Sequence, residues 1–376
     1  MRVLHVLGAM NRGGAETWLM HVLRTVDRRR LHLDFLVHSQ KPAAYDEEIR
    51  ALGSKVVVCP LGRNPVSYAR KLQGALRQHG PYDVVHSHVH HFSGLVLAVA
   101  KRIGVPKRIA HSHNDTTPID SRARLLRRVY LNSMKRLIQR YATVGLAASE
   151  EAGRALWGAQ WSRDPRWRIL YYGIDLVPFQ SNLNKSDVRM EFEIPKDTYV
   201  IGNVGRFDHQ KNHMHALRVF KALVSRMSNV RLLLVGDGPL REDIEREITR
   251  LGLDNYVLFT GVRGDVPRLL LGGIDLMLFP SFYEGLPVAV LEAQAAGVPV
   301  VLSDAITREV EVVPKLMTWV PLSDSLSKWS DACVATLRRR RDTPCEDAWR
   351  HLASGKFDIT TNVKLLESIY LDSSGL

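Results

Sequence analysis

IDLMLFPSFYEGLPVAVLEAQAAGVPVVL, residues Ile274 to Leu302, changes its hydrophobic pattern several times within a short span. The apolar run ending at Pro280 and Ser281 predicts a buried strand, Ser281 to Pro287 a turn, and Val288 to Ala296 a helix stopped by Gly297 and Pro299. A second apolar run, Val298 to Leu302, follows at once. The unit is strand, loop, helix, strand, and its loop opens where the unpaired N–H groups of the helix favour an anion. Glu284 stands in that loop and Glu292 lies about two turns along the helix. Two acids beside a phosphate seat point to a sugar nucleotide, whose hydroxyls need acceptors. The plainer alternative is that Glu284 caps the helix and Glu292 is a solvated helix residue.

The same alternation runs through the chain on either side of this unit. Val3–Leu7, Leu31–Val37, Val56–Cys59, Asp83–Ser87, Lys107–His111 and Val144–Ala147 read as strands, with helices over Thr17–Val26, Val66–His79 and Phe92–Ile103. Such a rhythm predicts a parallel sheet wrapped by helices, with ligands at the carboxyl ends of the strands. Two histidine groups fall at those ends, HSHVHH from His86 and HSHN from His111. The first and third residues of each share a strand face, so His86, His88, His111 and His113 are expected to converge. Satisfied structural histidines, a zinc site and hydrogen bonding to a polyol acceptor are all compatible with this; no H-E-x-x-H or C-x-x-C accompanies them. Gly13 and Gly14 lie in the loop Gly8–Glu16 after the first strand, where they allow close backbone approach to a ligand or make a tight turn. The G-x-G-x-x-G of a dinucleotide site is absent.

At 376 residues two domains are expected. The polar stretch SNLNKSD, 181–187, reads as the linker between them. The second domain opens with Tyr199–Val204 and the loop GRFDHQKN, Gly205 to Asn212, whose Arg206 and Lys211 are spaced to reach one pyrophosphate. A solvated basic loop is the alternative. Beyond Pro314 the pattern predicts only helices, with RRRR at 338–341 a solvated helix end and Ile359 to Leu371 a final apolar-striped helix.

The formal net charge of +13 implies an anionic partner: nucleic acid, an acidic membrane surface or phosphorylated substrates. The three cysteines have no metal-ligand spacing, no signal peptide opens the chain, and no long apolar run would span a bilayer, so a cytoplasmic protein is expected. Ser121 to Ala142 reads as a basic amphipathic helix with Leu126, Val129, Tyr130, Met134, Leu137, Ile138 and Tyr141 on its apolar stripe. It would pack that stripe on its own domain, or lie peripherally on the inner face of an anionic membrane.

With GGAE, both histidine groups, G-R-x4-K-N, G-D-G-P and E-x7-E in one order, the chain resembles the family 4 retaining glycosyltransferases, particularly the bacterial capsular and exopolysaccharide branch. The resemblance implies the α/β GT-B architecture: two Rossmann-like domains facing across a cleft, with the C-terminal helix crossing back to the first. On that basis residues 1–178, completed by 358–376, would bind the acceptor, and 179–357 the nucleotide sugar, expected as a UDP-sugar. Arg206, Lys211 and the loop at Gly205 would bind the donor diphosphate with the N–H groups of Gly285 and Leu286. Glu284 would hold the donor sugar and Glu292 the ribose. His113 and His111 would stand near the reacting sugar, with His88, Gly13 and Gly14 lining the acceptor or phosphate loop. The resemblance implies no metal or other cofactor, and a lipid-linked or saccharide acceptor. Tyr172 departs from the Asn that the family usually carries before Gly-Ile-Asp. The competing readings are a nucleotide-sugar epimerase of the same fold and a non-catalytic basic protein binding nucleic acid or another anion. The scattered basic residues lack the aromatic interleaving of nucleic-acid binders, so no nucleic-acid partner is expected.

Overall fold

The computed structural model describes residues 1–62, 64–121, 123–180, 185–339 and 345–372. The chain forms two compact units, Met1–Gly173 with Ile359–Leu376, and Ile174–Asp358. The 181–184 part of the expected linker, and Arg340 and Arg341 of the RRRR run, lie outside the described residues; Arg338 and Arg339 are exposed at the end of the helix Leu326–Arg339.

The first unit holds seven strands: β1 Arg2–Leu7, β2 His32–Val37, β3 Val56–Val58, β4 Val84–Ser87, β5 Lys107–Ser112, β6 Val144–Ala147 and β7 Trp167–Ile169. They pair in parallel in the order β3-β2-β1-β4-β5-β6-β7. The second unit repeats the plan with six: β8 Tyr199–Val204, β9 Val230–Val235, β10 Val257–Gly261, β11 Leu276–Phe279, β12 Val300–Ser303 and β13 Met317–Val320, in the order β10-β9-β8-β11-β12-β13. Strand order reverses between β1 and β4 in one sheet and between β8 and β11 in the other. Loops on either side of such a reversal diverge and leave a crevice at the carboxyl edge. The histidine groups and the glycine loop fall at the first reversal; the GRFDHQKN loop and the Glu284 loop fall at the second.

Helices cover both faces of these sheets, so most strand positions are apolar. Val84 and Val85, Leu232 to Leu234, and Leu276 to Leu278 are all buried. The helix Val288–Ala295 is buried on every side, its Gln294 side chain accepting from the backbone N–H groups of Val312 and Val313, both at 2.9 Å. β13 was not expected: MTWV is a four-residue edge strand between a 3₁₀ turn and a loop, too short for an alternating pattern to register.

The last helix, Ile359–Leu371, belongs to the first unit. Its Asn362 Oδ1 accepts from Trp18 Nε1 at 2.7 Å, and Lys107 Nζ on β5 donates to the carbonyls of Ile369, Tyr370 and Asp372 at 2.8, 2.7 and 2.5 Å. A buried ammonium thus occupies the negative end of the helix and satisfies carbonyls that the helix leaves unpaired.

Two expectations are corrected here. The first helix begins at Gly14, with Gly13 as its N-cap, so the paired glycines form the helix start and not a loop before Thr17. The basic helix spans Leu125–Tyr141, and only Leu131 and Ile138 on it are buried. Leu125, Leu126, Val129 and Tyr130 are 77%, 85%, 57% and 43% exposed, so the first half of the expected inward stripe faces solvent.

Candidate active site

In the second unit two loops at the sheet reversal are tied together. Asn212 adopts a left-handed conformation, φ 53°, and its Nδ2 donates to Pro280 O at 3.1 Å, while Phe282 N donates to Gln210 O at 2.9 Å. His209 stacks on Phe282 with centroids 4.9 Å apart. A Cβ on Gly236 would lie 2.0 Å from Gly205 O, and one on Gly238 2.5 Å from Phe207 O. The G-D-G turn therefore packs directly on the GRF backbone, which is why no side chain fits there.

This docking brings Lys211 to Glu284. Lys211 Nζ lies 2.7 Å from Glu284 Oε1, and Gln210 Nε2 donates to Glu284 Oε2 at 2.9 Å. Glu284 is 6% exposed. Its carboxylate is bound to the GRFDHQKN loop, and Val288–Ala295 has no side-chain cap, so Glu284 is not a helix cap. The Lys211 stem crosses Gly205, its Cε 3.0 Å from where a Cβ would stand, and its ammonium sits 4.8 Å from the Phe279 ring centroid. Arg206 is exposed and makes no ion pair among the described residues. Glu292 is buried, 9% exposed, and burial raises its carboxyl to about 7. It is not a solvated helix residue. Gly285 and Leu286 lie in the turn before the helix, where backbone N–H groups lack helical partners.

In the first unit His86, His88, His111 and His113 do converge, and His5 of β1 joins them. One hydrogen-bonded series runs from His5 Nδ1 to His88 Nε2 at 2.9 Å, from His88 Nδ1 to His113 Nε2 at 2.8 Å, and from His113 Nδ1 to the Tyr172 hydroxyl. A second runs from the Tyr370 hydroxyl to His86 Nδ1 at 2.8 Å and from His86 Nε2 to His111 Nδ1 at 3.1 Å. His5 Nε2 and His111 Nε2 are buried without a partner. Burial holds all five imidazoles far below their usual range, His5 and His113 to about 3, so they are neutral at physiological pH. Trp18 covers the cluster, meeting His111 edge-to-face with ring centroids 5.3 Å apart and stacking on Tyr172 with centroids 5.2 Å apart.

Both nitrogens of His113 are engaged in hydrogen bonds, whereas His111 Nε2 is buried and makes none. Beside Gly13, the Glu16 carboxylate occupies the space a Cβ would take, Oε2 2.4 Å from that position. Donor nitrogens of His5, His86 and His88, and of His88, His111 and His113, lie within 4.8 Å of one another, as do ligand atoms of His90, His91 and Asp120. A metal ion at the first two would have to displace the imidazole-to-imidazole hydrogen bonds.

His5, Trp18, Tyr370 and Gln210 were missed from sequence. His5 had a local signal, a polar residue inside the apolar run Val3–Leu7; Trp18 and Tyr370 had none, since their partners lie far along the chain.

Residues 13–173 match the family model of the glycosyl transferase 4-like domain, and residues 184–318 that of the glycosyl transferases group 1. The chain belongs to the family 4 glycosyltransferases and has their GT-B fold. It is 37% identical to the glycosyltransferase EpsF of Bacillus subtilis, over 98% of this chain and 96% of EpsF. Identity is 26% to CapH of Staphylococcus aureus, a capsular polysaccharide biosynthesis glycosyltransferase, over 100% of this chain and 99% of that one. It is also 26% to the UDP-Gal:alpha-D-GlcNAc-diphosphoundecaprenol alpha-1,3-galactosyltransferase of Escherichia coli, over 59% of this chain and 58% of that protein. The crystal structure of Anabaena HepE in complex with UDP-glucose superposes with a TM-score of 0.80 at 19% identity, covering 98% of this chain and 99% of that one, a likeness of fold. Among the described residues no helix is long and apolar enough to cross a membrane.

Proposed function

We propose that this glycosyltransferase moves a sugar, with retention of anomeric configuration, from a UDP-sugar to a lipid-linked saccharide in surface polysaccharide synthesis. The reading is carried by the second unit, where Lys211 is held by the buried Glu284 while Arg206, in the same loop, is exposed and makes no ion pair among the described residues. A donor diphosphate entering there meets the held Lys211, the exposed Arg206 and the N–H groups of Gly285 and Leu286. Lys211 exchanges its carboxylate partner for phosphate, which leaves Glu284 to accept hydrogen bonds from the donor sugar. Glu292 binds the ribose hydroxyls. The bond from the anomeric carbon to the phosphate oxygen breaks, and nucleoside diphosphate leaves. Cations and oriented N–H groups stabilise charge that grows only in the transition state, so no metal is needed at the diphosphate. The acceptor hydroxyl attacks from the same face and its proton passes to the departing phosphate oxygen. His111, His113, His88, Gly13 and Gly14 serve the acceptor side.

The names of CapH and the Escherichia coli galactosyltransferase support polysaccharide synthesis and a diphosphoundecaprenol-type acceptor. The exposed Leu125, Leu126, Val129 and Tyr130, interleaved with Arg124, Arg127 and Arg128, give a peripheral contact with an anionic inner membrane leaflet, where such an acceptor resides.

The test is donor hydrolysis by purified protein over a panel of UDP-, GDP- and ADP-sugars, with and without chelator, beside Glu284→Ala. Slow release of UDP from one donor, unaffected by chelator and lost in the variant, is the expected result. Absence of cleavage and binding across the whole panel would overturn the reading.

A further inference from the structure

The five imidazoles show more than their convergence, because one of the two series ends on a group whose proton has a single place to go. Among the described residues His86 Nδ1 is the only hydrogen-bond partner of the Tyr370 hydroxyl. Tyr370 is 1% exposed, and burial keeps its phenol protonated. A buried O–H left unpaired is costly, so Tyr370 donates and His86 Nδ1 accepts. A neutral imidazole has one N–H; that of His86 is therefore on Nε2, which donates to His111 Nδ1 at 3.1 Å. The same step repeats, and the proton of His111 is placed on Nε2, the nitrogen without a partner. The reverse polarity would strand both the Tyr370 proton and the His111 Nε2 lone pair, one more unsatisfied buried group than the arrangement above.

We infer that Tyr370, acting through His86, is a positioning residue that fixes His111 as its Nε2–H tautomer, so that this buried nitrogen is a hydrogen-bond donor and offers no lone pair to a proton or a metal ion. The tautomer follows from the geometry; its bearing on transfer, that His111 is not a base for the acceptor, rests on the function proposed above.

Tyr370 is well placed to hold this setting. Its backbone carbonyl accepts from Lys107 Nζ at 2.7 Å, and Lys107 is on the strand that carries His111. The C-terminal helix is thus pinned by β5 at one end of the relay and reads back to β5 through β4 at the other. A zinc ion bound to His111 Nε2 would need the lone pair there and would invert both hydrogen bonds.

The experiment is ¹⁵N NMR of ring-labelled histidines in the full chain, which separates the two tautomers by shift and by two-bond coupling, with His111→Gln supplying the assignment. The expected result is a neutral His111 protonated on Nε2 in the wild type. In Tyr370→Phe that population is expected to fall by about half or more, because neither tautomer then strands a tyrosine proton. A wild-type His111 protonated on Nδ1, or bound to zinc through Nε2, would overturn the inference, as would an unaltered tautomer in folded Tyr370→Phe. If the variant does not fold, the wild-type spectrum alone decides. Failure of the donor panel with the expected tautomer intact would instead strike the proposed function.

Discussion

Lys211 and Glu284 form an ion pair of 2.7 Å with side chains 18% and 6% exposed, across two loops that follow different strands of one sheet. The cation assigned to the diphosphate and the carboxylate assigned to the sugar thus hold each other in place. Lys211→Ala leaves a buried carboxylate with only Gln210, and is expected to destabilise the second unit by about 3 kcal/mol. The double variant Lys211→Ala/Glu284→Gln should recover part of that loss in thermal unfolding, while both lose transfer by about 10²–10³-fold. Equal melting temperatures for wild type and Lys211→Ala would contradict the argument.

Burial raises the Glu292 carboxyl to about 7 in the folded chain, from an ordinary value of 4.5. Between these values the folded state holds a proton that the unfolded state has released. Stability from this group is complete below about pH 4.5 and is lost as pH rises through about 7, by roughly 3 kcal/mol in all. Glu292→Gln should flatten that slope in denaturant titrations from pH 5 to 8. An unchanged slope would mean that Glu292 ionises freely in the folded chain.

The histidine cluster works in the opposite direction. With folded values near 3 for His5 and His113, the unfolded chain takes up protons first as pH falls below about 6.5. Stability present above that pH declines toward pH 3, by at most about 1.4 kcal/mol per pH unit for each such histidine. Melting temperatures across pH 7.5 to 5 should fall on the acid side, and a flat profile would show that the imidazoles charge without unfolding.

Leu125 and Leu126 expose apolar side chains among arginines on the helix Leu125–Tyr141. Replacing each by Ser is expected to weaken binding to vesicles of anionic phospholipid about tenfold, with binding by the wild type falling as salt rises. Flotation assays measure this directly. Wild-type protein that ignores anionic vesicles at low salt would remove the membrane contact from the proposed function.

The parts legible in the sequence are those whose physics is local. Strand, loop and helix around Glu284 and Glu292 could be read because apolar period and Gly-Pro punctuation sit within one stretch. His86, His88, His111 and His113 were found because polar residues at the ends of apolar runs mark the rim of a parallel sheet. His5 and Tyr370 escaped because what makes them matter is a partner 83 residues away in one case and 284 in the other. The basic helix misled for a related reason: periodicity reports that one side is apolar, not which neighbour covers it. Its N-terminal half is left uncovered by the first unit. At Gly13 and Gly14, a loop expected on glycine content is a helix start, where glycine is also tolerated.

Lys107 clamps the carbonyls at the end of a helix that is encoded almost two hundred residues after the sheet it completes. The first unit is consequently not an N-terminal fragment. A gene cut after Gly173 would deliver a sheet with Trp18, His86 and Lys107 stripped of Asn362, Tyr370 and the helix end, three buried polar groups without their partners. Recombining this first unit with the second unit of a relative therefore takes two crossovers, one on each side of the second unit, and a single-junction hybrid should misfold however compatible its two units are.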